Sequence, residues 1–240
     1  HMHEGIPSTR MGMRAIPAMA EEMALQRDLT LLEYHDTRLH VSKISTAKSV
    51  ELIRKAKKDG LQVTCDIASY QLAFIDEDLY TFDTLLKVDP PFRSKADAEA
   101  IWEGLTDGTI DAICSGHRPQ DQESKELEFD LADFGIINLE TAYAAINTYR
   151  PESIPADLLI EKMAIAPRKI LGLEPTSIQE GAPACLTLFD EQAFWSFKTE
   201  EIQSPSKNTP FAGKMLKGKA EGIINGEKRY FSENLEAKMG

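Results

Sequence analysis

Apolar positions along the chain alternate between two textures, a spacing near 3.6 residues and short β-branched runs, which mark amphipathic helices and buried strands. Behind Pro17, the residues Met19, Met23, Leu29 and Leu32 recur at near-helical spacing, with Glu21 and Glu22 in the first turn where the helix dipole favours carboxylates. A helix is predicted over 18–34, and a short strand over 39–44. Ser45 or Thr46 then caps a helix whose apolar face is Leu52, Ile53 and Ala56 and whose wet face is Arg54, Lys55 and Lys58, ending at Gly60. Residues 61–68 form the next strand. Strand, helix and strand within about 30 residues make a right-handed parallel βαβ unit, so the class is α/β.

The pattern continues with interruptions. Residues 2–13 carry Gly5, Pro7 and Gly12 and read as a loop. Residues 69–91 are long and irregular, with Asp76, Glu77, Asp78 and Asp83, and such a segment is a functional lid or a loop pinned by its neighbours. Ser94 caps a helix to Leu105 that Gly108 stops. The run Asp111-Ala112-Ile113-Cys114-Ser115-Gly116-His117-Arg118-Pro119-Gln120 is the most informative stretch: an apolar strand that breaks at Ser-Gly and delivers polar groups to a loop. Parallel strands buried under helices leave only their carboxyl ends free for chemistry. A charged loop runs through Asp133, then helices are predicted over 139–149 and 155–166 and a helical turn over 167–171. From Gly181 the texture changes to strand-like runs at 185–189, 222–225 and 228–231, with Asn225-Gly226 as a hairpin signal between the last two. The expected division is 1–172 for the α/β part and 173–240 for a small β domain segment.

Composition narrows the partners. The 240 residues are 42% hydrophobic and 28% charged, enough for a sizeable core. A net charge of −12 and a pI near 4.9 argue against nucleic acid and anionic membrane surfaces, which require clustered Lys and Arg. No apolar run approaches the roughly 20 residues of a membrane span and no charged-then-apolar leader is seen, so a cytoplasmic location is expected. Cys65, Cys114 and Cys185 are widely spaced in apolar runs and are read as buried thiols, not as a disulfide or metal cluster. Met11, Met13, Met19 and Met23 are read as core or interface filling, and the acidic run over 121–130 as a solvated loop face.

Several blocks then carry a resemblance: His3-Glu4-Gly5 with Ser8-Thr9, Gly12 and Ile16-Pro17; Leu39-His40-Val41-Ser42-Lys43-Ile44-Ser45-Thr46; Lys87-Val88-Asp89-Pro90-Pro91-Phe92-Arg93; Asp107-Gly108-Thr109-Ile110-Asp111-Ala112-Ile113; Phe134-Gly135-Ile136-Ile137 with Leu139-Glu140; and Asn208-Thr209-Pro210-Phe211 with Gly213. In residues, order and gaps the chain resembles the dihydroorotases of the amidohydrolase superfamily. The resemblance implies the C-terminal part of a (β/α)8 TIM-type metallo-dependent hydrolase barrel, starting after the family's fifth strand, plus a small β-sandwich segment. Such enzymes use one or two zinc ions to activate a hydroxide that opens the cyclic amide of dihydroorotate to carbamoyl aspartate in pyrimidine biosynthesis. The family's His-x-His pair, its bridging carboxylate or carbamylated lysine and another histidine fall outside this chain.

On the positions that are present, the chain departs from the family in one direction. A metal-binding histidine of the family falls on Lys43, whose ammonium has no lone pair for zinc. The aspartate that binds metal and shuttles the proton falls on Gly116, and a substrate-holding histidine falls on Gln120. The substrate-contacting asparagine before the Pro-Pro pair is Asp89, a like charge for the substrate carboxylate. Two adjacent histidines after the family's seventh strand are Tyr70 and Gln71. No catalytic position is intact and no zinc is expected here, with Asp89, Arg93, His117 and Gln120 the remaining substrate-site positions. Lys43 is read as a cation filling a vacated charge site in preference to a catalytic lysine, and His117 as structural in preference to a ligand or acid. His40 and His35 are read as satisfied or solvated. For Arg93 and Lys87 a loop-fixing ion pair stands beside a substrate-carboxylate role.

These readings favour a dihydroorotase-like pseudoenzyme persisting as a scaffold, with aspartate transcarbamoylase or a homo-oligomer as partner. An active zinc enzyme whose missing strands come from elsewhere is the alternative, and another cyclic-amide hydrolase ranks last because no substitute nucleophile and base are visible. Three barrel strands alone would leave sheet edges open, so the isolated chain is expected to self-associate or bind a complementary half. Sedimentation of a sharp monomer that melts cooperatively would contradict this.

Overall fold

The computed structural model describes residues 1–232. In chain order it comprises β1 (Met2–His3), α1 (Ile6–Met11), β2 (Ala15–Ile16), α2 (Ala18–His35), β3 (Leu39–Val41), α3 (Ala47–Lys58), β4 (Val63–Ala68), α4 (Lys95–Thr106), β5 (Ala112–Cys114), α5 (Gln122–Lys125), α6 (Ala142–Tyr149), α7 (Ala156–Ile160), a π-turn (Glu161–Ile165), α8 (Ala166–Ile170), β6 (Cys185–Ser196), β7 (Met215–Asn225) and β8 (Lys228–Phe231). The strands form a parallel β1-β2 pair, a parallel sheet ordered β3-β4-β5, and an antiparallel sheet ordered β6-β7-β8. The class is α/β, as the βαβ pattern implies.

Local chemistry sets the element ends. Thr46 Oγ1 accepts the Ser49 N–H at the start of α3, and Ser94 Oγ accepts the Asp97 N–H at the start of α4 while Asp97 reaches back to Ser94. Leu25, Leu29, Val50, Ile53, Ile67 and Ile101 pack into one core between the parallel sheet and its helices. A second core joins Met2, Tyr70, Phe74, Phe92, Phe211 and Leu216 across the loops that follow the strands.

Several expectations are corrected. Residues 2–13 are not a loop: Gly5 precedes α1, its N–H is accepted by Ser8 Oγ at 3.0 Å, and Pro7 sits in the first turn where a missing N–H costs nothing. The breaker residues mark the ends of a short helix. Residues 69–91 contain 3-10 turns at Ser69–Leu72, Asp76–Thr81 and Thr84–Leu86 and are pinned, with Asp76 N donating to Arg93 O and Thr84 Oγ1 to Lys125 O. β6 is twelve residues long where the pattern showed only its start, because register shifts after Leu188 and Asp190 break the alternation. The last hairpin turns on Gly226 and Glu227 between paired Asn225 and Lys228, with Gly226 at φ 60°. Met19 and Met23 lie on the exposed side of α2, and Cys185 is exposed on β6.

The C-terminal strands make a single antiparallel sheet among the described residues, seated on α6. Asn147 Nδ2 donates to Glu191 O and Lys217 O, and Thr148 Oγ1 accepts the Lys217 N–H at 2.9 Å. Among the described residues no helix is long and apolar enough to cross a membrane.

One ion pair ties the parallel sheet to α3. Asp111 accepts Lys57 Nζ at 2.7 and 2.8 Å and the Cys65 N–H at 2.8 Å, while Lys57 also donates to Thr109 O. Asp111→Ala strands a backbone donor and an ammonium together, at a cost of about 2–3 kcal/mol. A melting temperature lower by roughly 4–12 °C is expected, and an unchanged melt refutes the role.

Candidate functional site

The register of the parallel sheet, His40 opposite Thr64, Asp66 opposite Ala112 and Ala68 opposite Cys114, sorts the side chains by alternation. Leu39, Val41, Val63, Cys65, Ile67 and Ile113 turn toward the helices. His40, Ser42, Thr64, Asp66, Ala68 and Cys114 share the other face, and their carboxyl ends deliver Lys43, Tyr70 and Gly116 to one region.

Asp66 is the centre of that face. Its Oδ1 accepts the Lys43 N–H at 2.8 Å, its Oδ2 accepts His40 Nε2–H at 3.0 Å, and Ser42 Oγ and Cys114 Sγ donate at 3.2 and 3.5 Å. Thr64 Oγ1 lies 2.8 Å from His40 Nδ1, which holds the imidazole between hydroxyl and carboxylate. Burial, then the Asp66 charge, pushes the Cys114 thiol up to about 12. Sequence reasoning passed over Asp66, although a lone carboxylate inside the apolar run 63–68 was the available signal. A cavity of about 700 Å³ opens beside the cluster, lined by His40, Asp66, Cys114 and Ser115 and by apolar Leu139, Met163 and Leu171.

Lys43 stands at φ 59°, a left-handed conformation held by its N–H on Asp66. Its Nζ donates to the main-chain oxygen of Asp89 at 3.0 Å. The ammonium thus clamps the Asp89-Pro90-Pro91 turn, and Gln71 Nε2 adds a bond to Pro90 O at 2.9 Å. The Asp89 side chain is exposed.

Gly116 has φ 62° and lies against Tyr70 and Ala68. His117 Nδ1 accepts the N–H groups of Asn138 at 3.0 Å and Leu139 at 3.3 Å, which places the proton of the neutral ring on Nε2. Asn138 itself is buried, donating to Ser69 Oγ and Ser115 O at 2.7 Å and accepting from Thr141 Oγ1 at 2.8 Å. It joins the ends of β4 and β5. The sequence reading quoted the residues on both sides of Asn138 and missed it, because a buried amide has no spacing signature.

The two other candidates are engaged elsewhere. Gln120 donates from Nε2 to Phe134 O at 2.8 Å, and its N–H reaches Asn208 Oδ1 at 3.2 Å. Arg93 is 4% exposed and donates to Ser45 Oγ, His3 Nδ1 and Ile16 O at 2.9, 3.1 and 3.0 Å, with Glu21 3.5 Å away. Burial, then the Arg93 charge, lowers His3, in keeping with a neutral ring that accepts from the guanidinium. Lys87 is likewise buried and donates to Phe129 O and Asp130 O.

These residues do not fit zinc. Among the described residues no group of three or more His, Cys, Asp or Glu is placed to hold a metal ion. Lys43 offers a cation, Gly116 offers nothing, and neither nitrogen of His117 keeps a free lone pair while Nδ1 accepts main-chain N–H groups.

The chain matches a dihydroorotase of Pelotomaculum thermopropionicum at 41% identity over 222 residues, covering 90% of this chain and 51% of that protein. It matches one of Thermoanaerobacter sp. at 39% over 241 residues, covering 99% and 56%. The chain is thus similar to dihydroorotases over most of its own length. It spans about half the length of the curated relatives it matches. No family model matches it. Among solved structures it is similar to the L-hydantoinase (dihydropyrimidinase) of Arthrobacter aurescens, with a TM-score of 0.84 and 27% identity over 90% of this chain and 50% of that one. The inactive dihydroorotase-like domain of the Chaetomium thermophilum CAD-like multifunctional protein shares the fold, with a TM-score of 0.64 and 24% identity over 85% of this chain and 54% of that one.

Thiol chemistry checks the burial of this face. Modification requires the thiolate, and with Cys65 and Cys114 both pushed up to about 12, about one thiol in 10⁴ is ionised at pH 8. Exposed Cys185 is expected to react with a maleimide at pH 8 while the other two resist, their rates rising about tenfold per pH unit toward pH 12 as long as the fold persists. Fast labelling of Cys114 at pH 8 contradicts a thiol held protonated by burial and by Asp66.

Proposed function

We propose that the chain is the C-terminal part of a (β/α)8 barrel in a dihydroorotase-like protein whose strand-end site no longer supports zinc-dependent hydrolysis, and that it serves as a scaffold or partner. One observation carries the reading: the family's metal positions hold an ammonium already bonded to Asp89 O and a glycine with no donor. Losing ligands removes the Lewis acid and its hydroxide together. The parallel three-stranded sheet and the likeness to a hydantoinase support the barrel. On this reading the partner is aspartate transcarbamoylase or a second copy of the chain.

Identity near 40% with dihydroorotases, and the polar cavity face around Asp66, favour a second reading: an active enzyme once the remaining strands and ligands are supplied. Metal analysis after equilibration with zinc and dialysis, made on the chain assembled with the strands that complete its barrel, separates the two. The first reading expects no retained zinc and no opening of dihydroorotate. About one equivalent of zinc that is lost on His117→Ala overturns it.

A further inference from the structure

We infer that Tyr70 is the plug that closes the strand-end site, its ring occupying the space that any side chain at residue 116 would need. The inference deepens the proposed function and rests on it for its meaning. Tyr70 is buried in the 3-10 turn that follows β4. A Cβ on residue 116 would lie 2.6 Å from Tyr70 Cε1, 3.1 Å from its Cζ and 2.8 Å from Ala68 Cβ. Real carbon contacts do not approach that closely, so something must move.

The ring is backed by a buried aromatic pair. It meets Phe92 edge-on, with centroids 6.0 Å apart at 78°, and Phe92 is wholly buried against Phe74 at 5.2 Å. Ala68 is part of β4 and cannot yield without the sheet. The positive φ at Gly116 adds to the penalty for a side chain there. Residue 70 therefore decides whether residue 116 can carry a carboxylate. Gly116→Asp, alone or with Lys43→His, fails while Tyr70 remains. Shrinking Tyr70 lets the residue-116 backbone move off Ala68 into the vacated volume.

Cys114 packs against the core that contains Tyr70, whereas Cys65 lies in the core on the helix side. The test compares maleimide labelling of each thiol, by peptide mapping, in the parent and in Tyr70→Ala. Labelling of Cys114 is expected to rise at least roughly tenfold with Cys65 still protected. No rise, or an equal rise at both thiols, overturns the plug. A melting cycle gives an independent readout: Gly116→Ala should lower the melting temperature by at least about 5 °C more in the parent than in the Tyr70→Ala background. Equal losses, or failure of both Gly116→Ala proteins to fold, overturn it. If only the parent version fails to fold, the inference holds. Zinc retained by the parent would sink the proposed function without moving either readout.

Discussion

The Asp66 carboxylate on the open face of β4 is the interaction on which the strand-end region depends. A carboxylate on a largely buried strand is stable only when its lone pairs are filled, and here His40, Ser42, Cys114 and the Lys43 N–H fill them. The bond to the Lys43 N–H does more than neutralise a charge. It holds the chain in the left-handed turn that ends β3, and so aims Lys43 at the Asp89 carbonyl.

From that anchor the remaining strand ends close by the same logic, each polar group finding a partner within the protein. Lys43 ties β3 to the Pro-Pro turn, Asn138 ties β4 to β5, and His117 spends its accepting nitrogen on main-chain N–H groups. Arg93 binds its donors to Ser45, His3 and Ile16 beneath this layer. At the strand ends these polar groups are all engaged within the protein. A cavity remains beside Asp66, with Leu139, Met163 and Leu171 on its apolar side.

Much of the site was legible as chemistry and little of it as geometry. Lys43 and Gly116 announce by composition alone that they cannot bind a metal, since an ammonium lacks a lone pair and glycine lacks a side chain. The sequence placed Tyr70 on the list of departures without showing that it fills the space beside Gly116, because contact between residues 70 and 116 is a matter of how two loops fold over β4. Asn138 and Asp66 went unnoticed for a related reason: apart from the local Thr141 bond to Asn138, their roles are defined by partners 21 or more residues away. Asp89 was singled out for its charge, yet it is the carbonyl oxygen that takes part.

The sequence by itself determined the α/β class, the βαβ order, the capping of α3 and α4 and the likeness to dihydroorotases, because these depend on short-range periodicity, cap chemistry and residue identity. It misjudged residues 2–13 and the length of β6, where a glycine can end a helix as readily as a loop and a bulge hides a strand. Tertiary structure alone decided that Arg93 and Gln120 are consumed as braces, that His117 faces main-chain donors, and that the Tyr70 ring stands where a Cβ on residue 116 would fall. The reason is physical: a side chain's chemistry is set by its own atoms, but its availability is set by what the rest of the chain brings within 3 Å of it.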